Sequence, residues 1–104
     1  MKYIVVFITV SSLVEARKIT SVLLSKKLAA CVNIIKGVDS NFIWQGKVDK
    51  AKEYLLIVKT KFSRFNKLEN HVRKIHSYEV SEIIALPIVC GNKKYLKWIG
   101  DSVS

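Results

Sequence analysis

The run "KIHSYEVSEIIALP", Lys74 to Pro87, places a histidine, a tyrosine and two glutamates within the seven residues His76 to Glu82, just before an apolar stretch. Far upstream, "AACVN" contributes the thiol of Cys31. Thiolate, imidazole and carboxylate are the three donor types that a copper or zinc ion accepts. Each residue also has an ordinary structural role. A reduced cysteine in an apolar strand commonly fills core space. A histidine just after a helix is favoured there by the negative end of the helix dipole. Glu79 and Glu82 are three apart but lie in a connection, so the spacing gives them no fixed common face. His71 falls among the polar positions of a helical pattern and reads as a helix-surface residue. A cysteine nucleophile would need a base and an oxyanion hole, and no motif supplies either.

Other chemistries are absent. Gly37, Gly46, Gly91 and Gly100 are scattered and form neither a phosphate-binding loop nor a dinucleotide fingerprint. Cys31 and Cys90 make no CxxC pair, which excludes a zinc ribbon and a thioredoxin-type motif and suits free thiols in a reducing compartment. Eighteen Lys and Arg against eight Asp and Glu give a net charge of +10. The basic residues are dispersed, so the charge reads as a solvated surface and selects no partner. It also repels cations at long range, but that repulsion is screened beyond about 8 Å at physiological salt. A cation site must therefore be short-range and ligand-driven.

The elements that must position these groups follow from hydrophobic period. "KYIVVFITV" is a continuous apolar run, a strand buried on both faces. In "SSLVEARKITSVLLSKKL", Ser12 and Glu15 have capping-box spacing and Ala16, Ile19 and Leu23 share a helical face. "LAACVNIIKGV" and "SNFIWQGKV" return to extended structure, with a Gly-containing hairpin turn after Trp44. A short charged segment precedes a third strand, "EYLLIVKT". Phe65, Leu68, Val72 and Ile75 mark a second helix. "EIIALPIVC" is a fourth strand, whose Pro87 argues for an edge position or a bulge. The tail supports a short C-terminal helix with Tyr95, Trp98 and Ile99 on one side.

Residues 1–104 thus read as one α+β domain in β-α-β-β-α-β order, the ferredoxin-like arrangement, with both helices on one face of a four-stranded antiparallel sheet. The expected strand order, 4-1-3-2, separates Cys31 from Cys90 by three strand spacings, about 14 Å. That is too far for a disulfide, which needs Cα atoms within about 7 Å. The first strand is apolar on both parities: Tyr3, Val5 and Phe7 on one, Ile4, Val6 and Ile8 on the other. Helices can cover only one face, so the second requires another cover, and a homo-oligomer is expected. The longest apolar run is far short of the roughly 20 residues that span a bilayer, and it lacks a secretory cleavage site. A soluble, cytoplasmic chain is expected.

The blocks "LAACVNI", "SNFIWQGKV", "EYLLIVKT", "HSYEVSEIIALPI" and "YLKWI" together resemble the CutA family of divalent-cation tolerance proteins, in the family's order and across nearly the whole chain. The resemblance implies a ferredoxin-like homotrimer, similar in architecture to PII signalling proteins. It also implies a role in binding or responding to copper or other divalent cations rather than in catalysis, with a bound cation possible but not obligatory. By position it carries over Cys31, His76 and Glu79 as metal contacts, and Trp44, Lys59, Tyr78 and Glu82 as lining of a cleft between subunits. Ser77 and Ser81 stand where the family commonly has proline. Proline fixes φ, so the two serines are expected to leave this segment freer.

Two further readings share the β-α-β-β-α-β order. An RNA-recognition module would need stacking aromatics on its third strand, and "EYLLIVKT" has no glycine and one aromatic, so neither nucleic acid nor membrane is expected as a partner. A PII-like regulatory domain holding a small anion in the subunit cleft, near Lys59, is the alternative to metal response.

Overall fold

β-Branched and aromatic side chains crowd Tyr3–Val10, and this segment is strand β1, central in the sheet of a computed structural model that describes residues 2–104. Helix α1 follows (Leu13–Ser25), then β2 (Cys31–Trp44), β3 (Lys47–Lys61), a 3-10 turn (Phe62–Arg64), α2 (Phe65–Ile75), β4 (Ile83–Pro87) and α3 (Lys93–Ser102). The strands lie in the order β2-β3-β1-β4, every pair antiparallel, as the ferredoxin-like reading requires. Pro87 ends the edge strand β4, where a missing N–H costs least. Cys31 and Cys90 are both free thiols.

The period-2 pattern of β1 separates the two faces of the sheet. Ile4, Val6, Ile8 and Val10 are fully buried with Leu56 and Val58 of β3, against Ala16, Ile19 and Leu23 of α1 and Leu68 and Val72 of α2. The opposite parity gives Val5 and Phe7, paired with Lys59 and Ile57 of β3 and with Leu86 and Ile84 of β4; Leu55 is paired with Ile35 of β2. On this second face Ile35, Ile84 and Leu86 remain about half exposed. Among the described residues, only one end carries a helix, where Ile99 of α3 is buried and Gly100 lies against the Tyr3 hydroxyl.

Strands β2 and β3 are longer than their apolar content implies. The charged segment before "EYLLIVKT" is itself strand, paired from Ala51 opposite Ser40 to Lys47 opposite Trp44. Ladder pairing with β2 forms this part, with the exposed Asp39–Lys52 ion pair across it and little burial, so hydrophobic periodicity does not reveal it. Beyond Tyr54, which pairs with Val10, β3 has only β2 as neighbour, and the two form a projecting arm. An irregularity between Ile35 and Val38, with Gly37 at φ 71°, sets the arm off from the sheet. Gln45 and Gly46 close it with φ of 51° and 77°, the left-handed pair that a two-residue hairpin needs.

Candidate functional site

Helix α2 stops at Ile75, and its C-cap His76 (φ −62°, ψ 135°) turns the chain away while its N–H still bonds the Val72 carbonyl. The His76 side chain is completely buried. Its Nε2 lies 2.7 Å from the carbonyl oxygen of Thr9 in β1. A carbonyl can only accept, so Nε2 carries the proton and donates. Nδ1 accepts the Tyr78 N–H at 3.1 Å and faces Glu15 Oε2 at 3.2 Å. As folded, neither imidazole nitrogen offers a free lone pair to an ion.

The rest of this segment is tied down as well. The Ser77 N–H and hydroxyl donate to the two carboxylate oxygens of Glu15 at 3.0 and 2.8 Å, and the Ser81 hydroxyl donates to the Tyr78 carbonyl. Where the sequence suggested a freer segment, Ser77 supplies two donors to Glu15, both of which a proline would lack. Glu15 itself makes only half of the capping box. Ser12 Oγ accepts the Glu15 N–H, but the Glu15 carboxylate turns to Ser77 rather than back to the cap. Tyr78 lies tilted over the His76 ring, centroids 4.9 Å apart, and its hydroxyl donates to Glu53 Oε2 at 2.8 Å. Burial, reinforced by the hydrogen bond and negative charge of Glu53, pushes the Tyr78 phenol up to about 12. Glu79 and Glu82 are exposed beyond this anchor.

Cys31 opens β2 on the second face of the sheet, beside Lys59 in register. Lys59 Nζ donates to Asn33 Oδ1 and lies 3.9 Å from Cys31 Sγ, while the thiol itself reaches Asn33 Oδ1 at 3.8 Å. Tyr95 of α3 is also near Cys31. Burial and the neighbouring Cys31 sulfur, within hydrogen-bonding reach, hold the Tyr95 phenol above its ordinary range. The result is a half-buried thiol among an ammonium, an amide and a phenol.

These two clusters are apart within one chain. Thr9, which holds His76, pairs with Leu55, whereas Cys31 pairs with Lys59, four residues further along β3. Four strand residues correspond to roughly 13 Å. Trp44 is further still, at the tip of the arm and about half exposed. Among the described residues, no three His, Cys, Asp or Glu side chains gather around a point that could hold an ion. Within a single chain, then, the donor set does not make a metal centre. Sequence reasoning missed Glu15, Asn33, Glu53 and Tyr95. Glu15 was visible only as a capping residue, and the others reach their partners through strand register or tertiary packing that no local pattern encodes.

The match to known proteins covers the same elements. The family model described as CutA1 divalent ion tolerance protein matches residues 4–102. The chain belongs to the CutA1 family. It is 48% identical to the divalent-cation tolerance protein CutA of Thermus thermophilus over 98 residues, which are 94% of this chain and 95% of that protein. The chloroplastic protein CutA 1 of Oryza sativa is 46% identical over 95% of this chain, yet the match spans 56% of that longer protein; this chain covers about half the length of the plant relatives. The solved structure of the Thermus thermophilus CutA1 superposes with a TM-score of 0.96 at 46% identity, covering 98% of this chain and 99% of that one. CutA1 from Oryza sativa also gives 0.96, at 44% identity, covering 100% of this chain and 95% of that one. The divalent-cation tolerance family and the ferredoxin-like fold are thereby established for this chain. Among its described residues, no helix is long and apolar enough to cross a membrane.

Proposed function

We propose that this CutA1 family member works as a homotrimer that binds or responds to divalent cations, copper foremost, at clefts formed where copies meet. It acts by binding rather than by catalysis, in a reducing compartment that keeps Cys31 and Cys90 as thiols. The observation that carries the assembly is the uncovered apolar surface: the half-exposed Ile35, Ile84 and Leu86 of the second sheet face and, at the opposite strand parity, Ile43 and Val48 of the arm, 69% and 78% exposed. Full burial of such side chains yields about 1.5–3 kcal/mol each, enough to drive association. An arm of two strands is marginal by itself and gains support from a neighbouring copy.

The separation of donors within one chain directs the metal reading to subunit contacts. Cys31 is the soft donor, and Glu79 is an exposed carboxylate held near the surface by the anchored His76 segment. His76 contributes as a ligand only if its contacts to Tyr78 and Glu15 open; otherwise it positions the segment. Trp44, Lys59, Tyr78 and Glu82 line the cleft. A PII-like role, with a small ligand regulating the trimer, is the second reading. It is favoured by Lys59, a half-buried ammonium on the sheet face with no carboxylate in ion-pair range among the described residues.

Calorimetric titration of copper into the wild type and Cys31→Ser tests the metal reading. Saturable binding by the wild type, weakened about tenfold or more in the variant, is expected, a loss of about 1.4 kcal/mol or more. Equal, weak binding by both removes Cys31 from the site and with it the metal reading.

A further inference from the structure

A concavity of about 450 Å³ lies where the start of β1, the end of β3 and one face of α3 meet. Four lysines line it: Lys2, Lys61, Lys93 and Lys97. Its one carboxylate, Asp101, is already committed to Lys97 Nζ at 2.6 Å. Lys2, Lys61 and Lys93 have no carboxylate within ion-pair distance among the described residues. Three uncompensated ammonium groups, one just before β1, one at the end of β3 and one at the start of α3, therefore converge on one pocket.

This convergence is specific to the fold. Tyr3 and Lys61 are register partners across β1 and β3, which brings Lys2 beside the end of β3, where its carbonyl accepts the Phe62 N–H at 2.8 Å. Helix α3 can close the third side because Gly100 has no side chain. A Cβ there would stand 3.0 Å from the Tyr3 hydroxyl, tighter than ordinary contact. Lys2 Nζ lies over the Tyr3 ring, 5.3 Å from its centroid, so its charge stays at the pocket rather than ranging freely in solvent. Like charges held together repel, and a concave wall concentrates their field. An anion carrying several charges relieves that repulsion, and the volume falls within the range of small-molecule sites.

We propose that this lysine-lined pocket binds a small polyanion, a molecule carrying two or three linked phosphate groups. Lysines act as point charges toward phosphate oxygens, and three of them match a chain of phosphates better than a single carboxylate. The site is separate from Cys31, His76 and Glu79 and does not depend on the metal reading.

The test is titration of inorganic tripolyphosphate, and in parallel ATP, into the intact assembled protein. The proteins compared are wild type, Lys61→Gln/Lys93→Gln and the charge-matched control Lys18→Gln/Lys67→Gln, whose lysines are exposed on α1 and α2. Circular dichroism and sedimentation verify fold and assembly in each. Tripolyphosphate is expected to bind the wild type, about tenfold or more weakly the pocket variant, and the control within about twofold of wild type. The same loss with ATP supports recognition through the phosphates that both probes share. No binding by the wild type, or an equal loss in the control, overturns the proposal by reducing the effect to diffuse net charge.

Discussion

His76 and Thr9 lock the segment after α2 onto the central strand: the imidazole Nε2–H donates to the Thr9 carbonyl across 2.7 Å in a site with no solvent access. Truncation by His76→Ala leaves that carbonyl and the Tyr78 N–H without their partner. Buried groups orphaned in this way cost about 1–3 kcal/mol each, so an overall loss of roughly 2–4 kcal/mol is expected in urea unfolding. A change within 0.5 kcal/mol would show that His76 does not anchor the segment.

Tyr78 and Glu53 make stability sensitive to alkaline pH. The folded-state phenol titrates at about 12, above the ordinary 10, so the folded chain retains its proton where the unfolded chain has lost it. The contribution is complete below pH 10 and is lost as pH rises from 10 through about 12. Measured against pH in denaturant melts, Tyr78→Phe is expected to lie below wild type at pH 8 and to converge on it above pH 10. A constant gap across that window would contradict the assignment.

Ser77 uses both its N–H and its hydroxyl to hold Glu15. The substitution Ser77→Pro removes both donors. Proline gains about 0.4–1 kcal/mol by restricting the unfolded chain, but the lost charge-assisted bonds outweigh it even when discounted for exposure. A net destabilisation of about 1 kcal/mol is expected from chemical denaturation; stabilisation would show that the Glu15 contacts are dispensable.

Ile43 and Val48 face each other across the arm and are largely exposed in the single chain. The double substitution Ile43→Lys/Val48→Lys is expected to weaken assembly on size exclusion while leaving the circular dichroism spectrum of the separated chains native-like. Unchanged assembly would place the arm outside the subunit contact.

The fold was legible because its signals are local and repeated. Ala16, Ile19 and Leu23 mark one helical face, β1 is apolar on both parities, and Pro87 announces an edge, so element order follows from period, and topology from the right-handed crossover rule and the usual strand order of the ferredoxin-like arrangement. The arm was only half legible: the turn after Trp44 shows in the Gln-Gly pair, but Val48–Lys52 is strand through cross-strand pairing, which leaves no hydrophobic trace. Of the site, Cys31 and His76 were marked by residue type. Their partners Tyr95 and Glu15 come from distant elements, and the engagement of both His76 nitrogens depends on hydrogen-bond directions that sequence does not carry.

Sedimentation equilibrium of the intact chain bears most directly on the claim that its second sheet face and arm are hidden between copies. A single species of about 35 kDa, three chains of 11.8 kDa, is expected at micromolar concentration. A particle of one chain's mass, persisting as concentration rises, would contradict it.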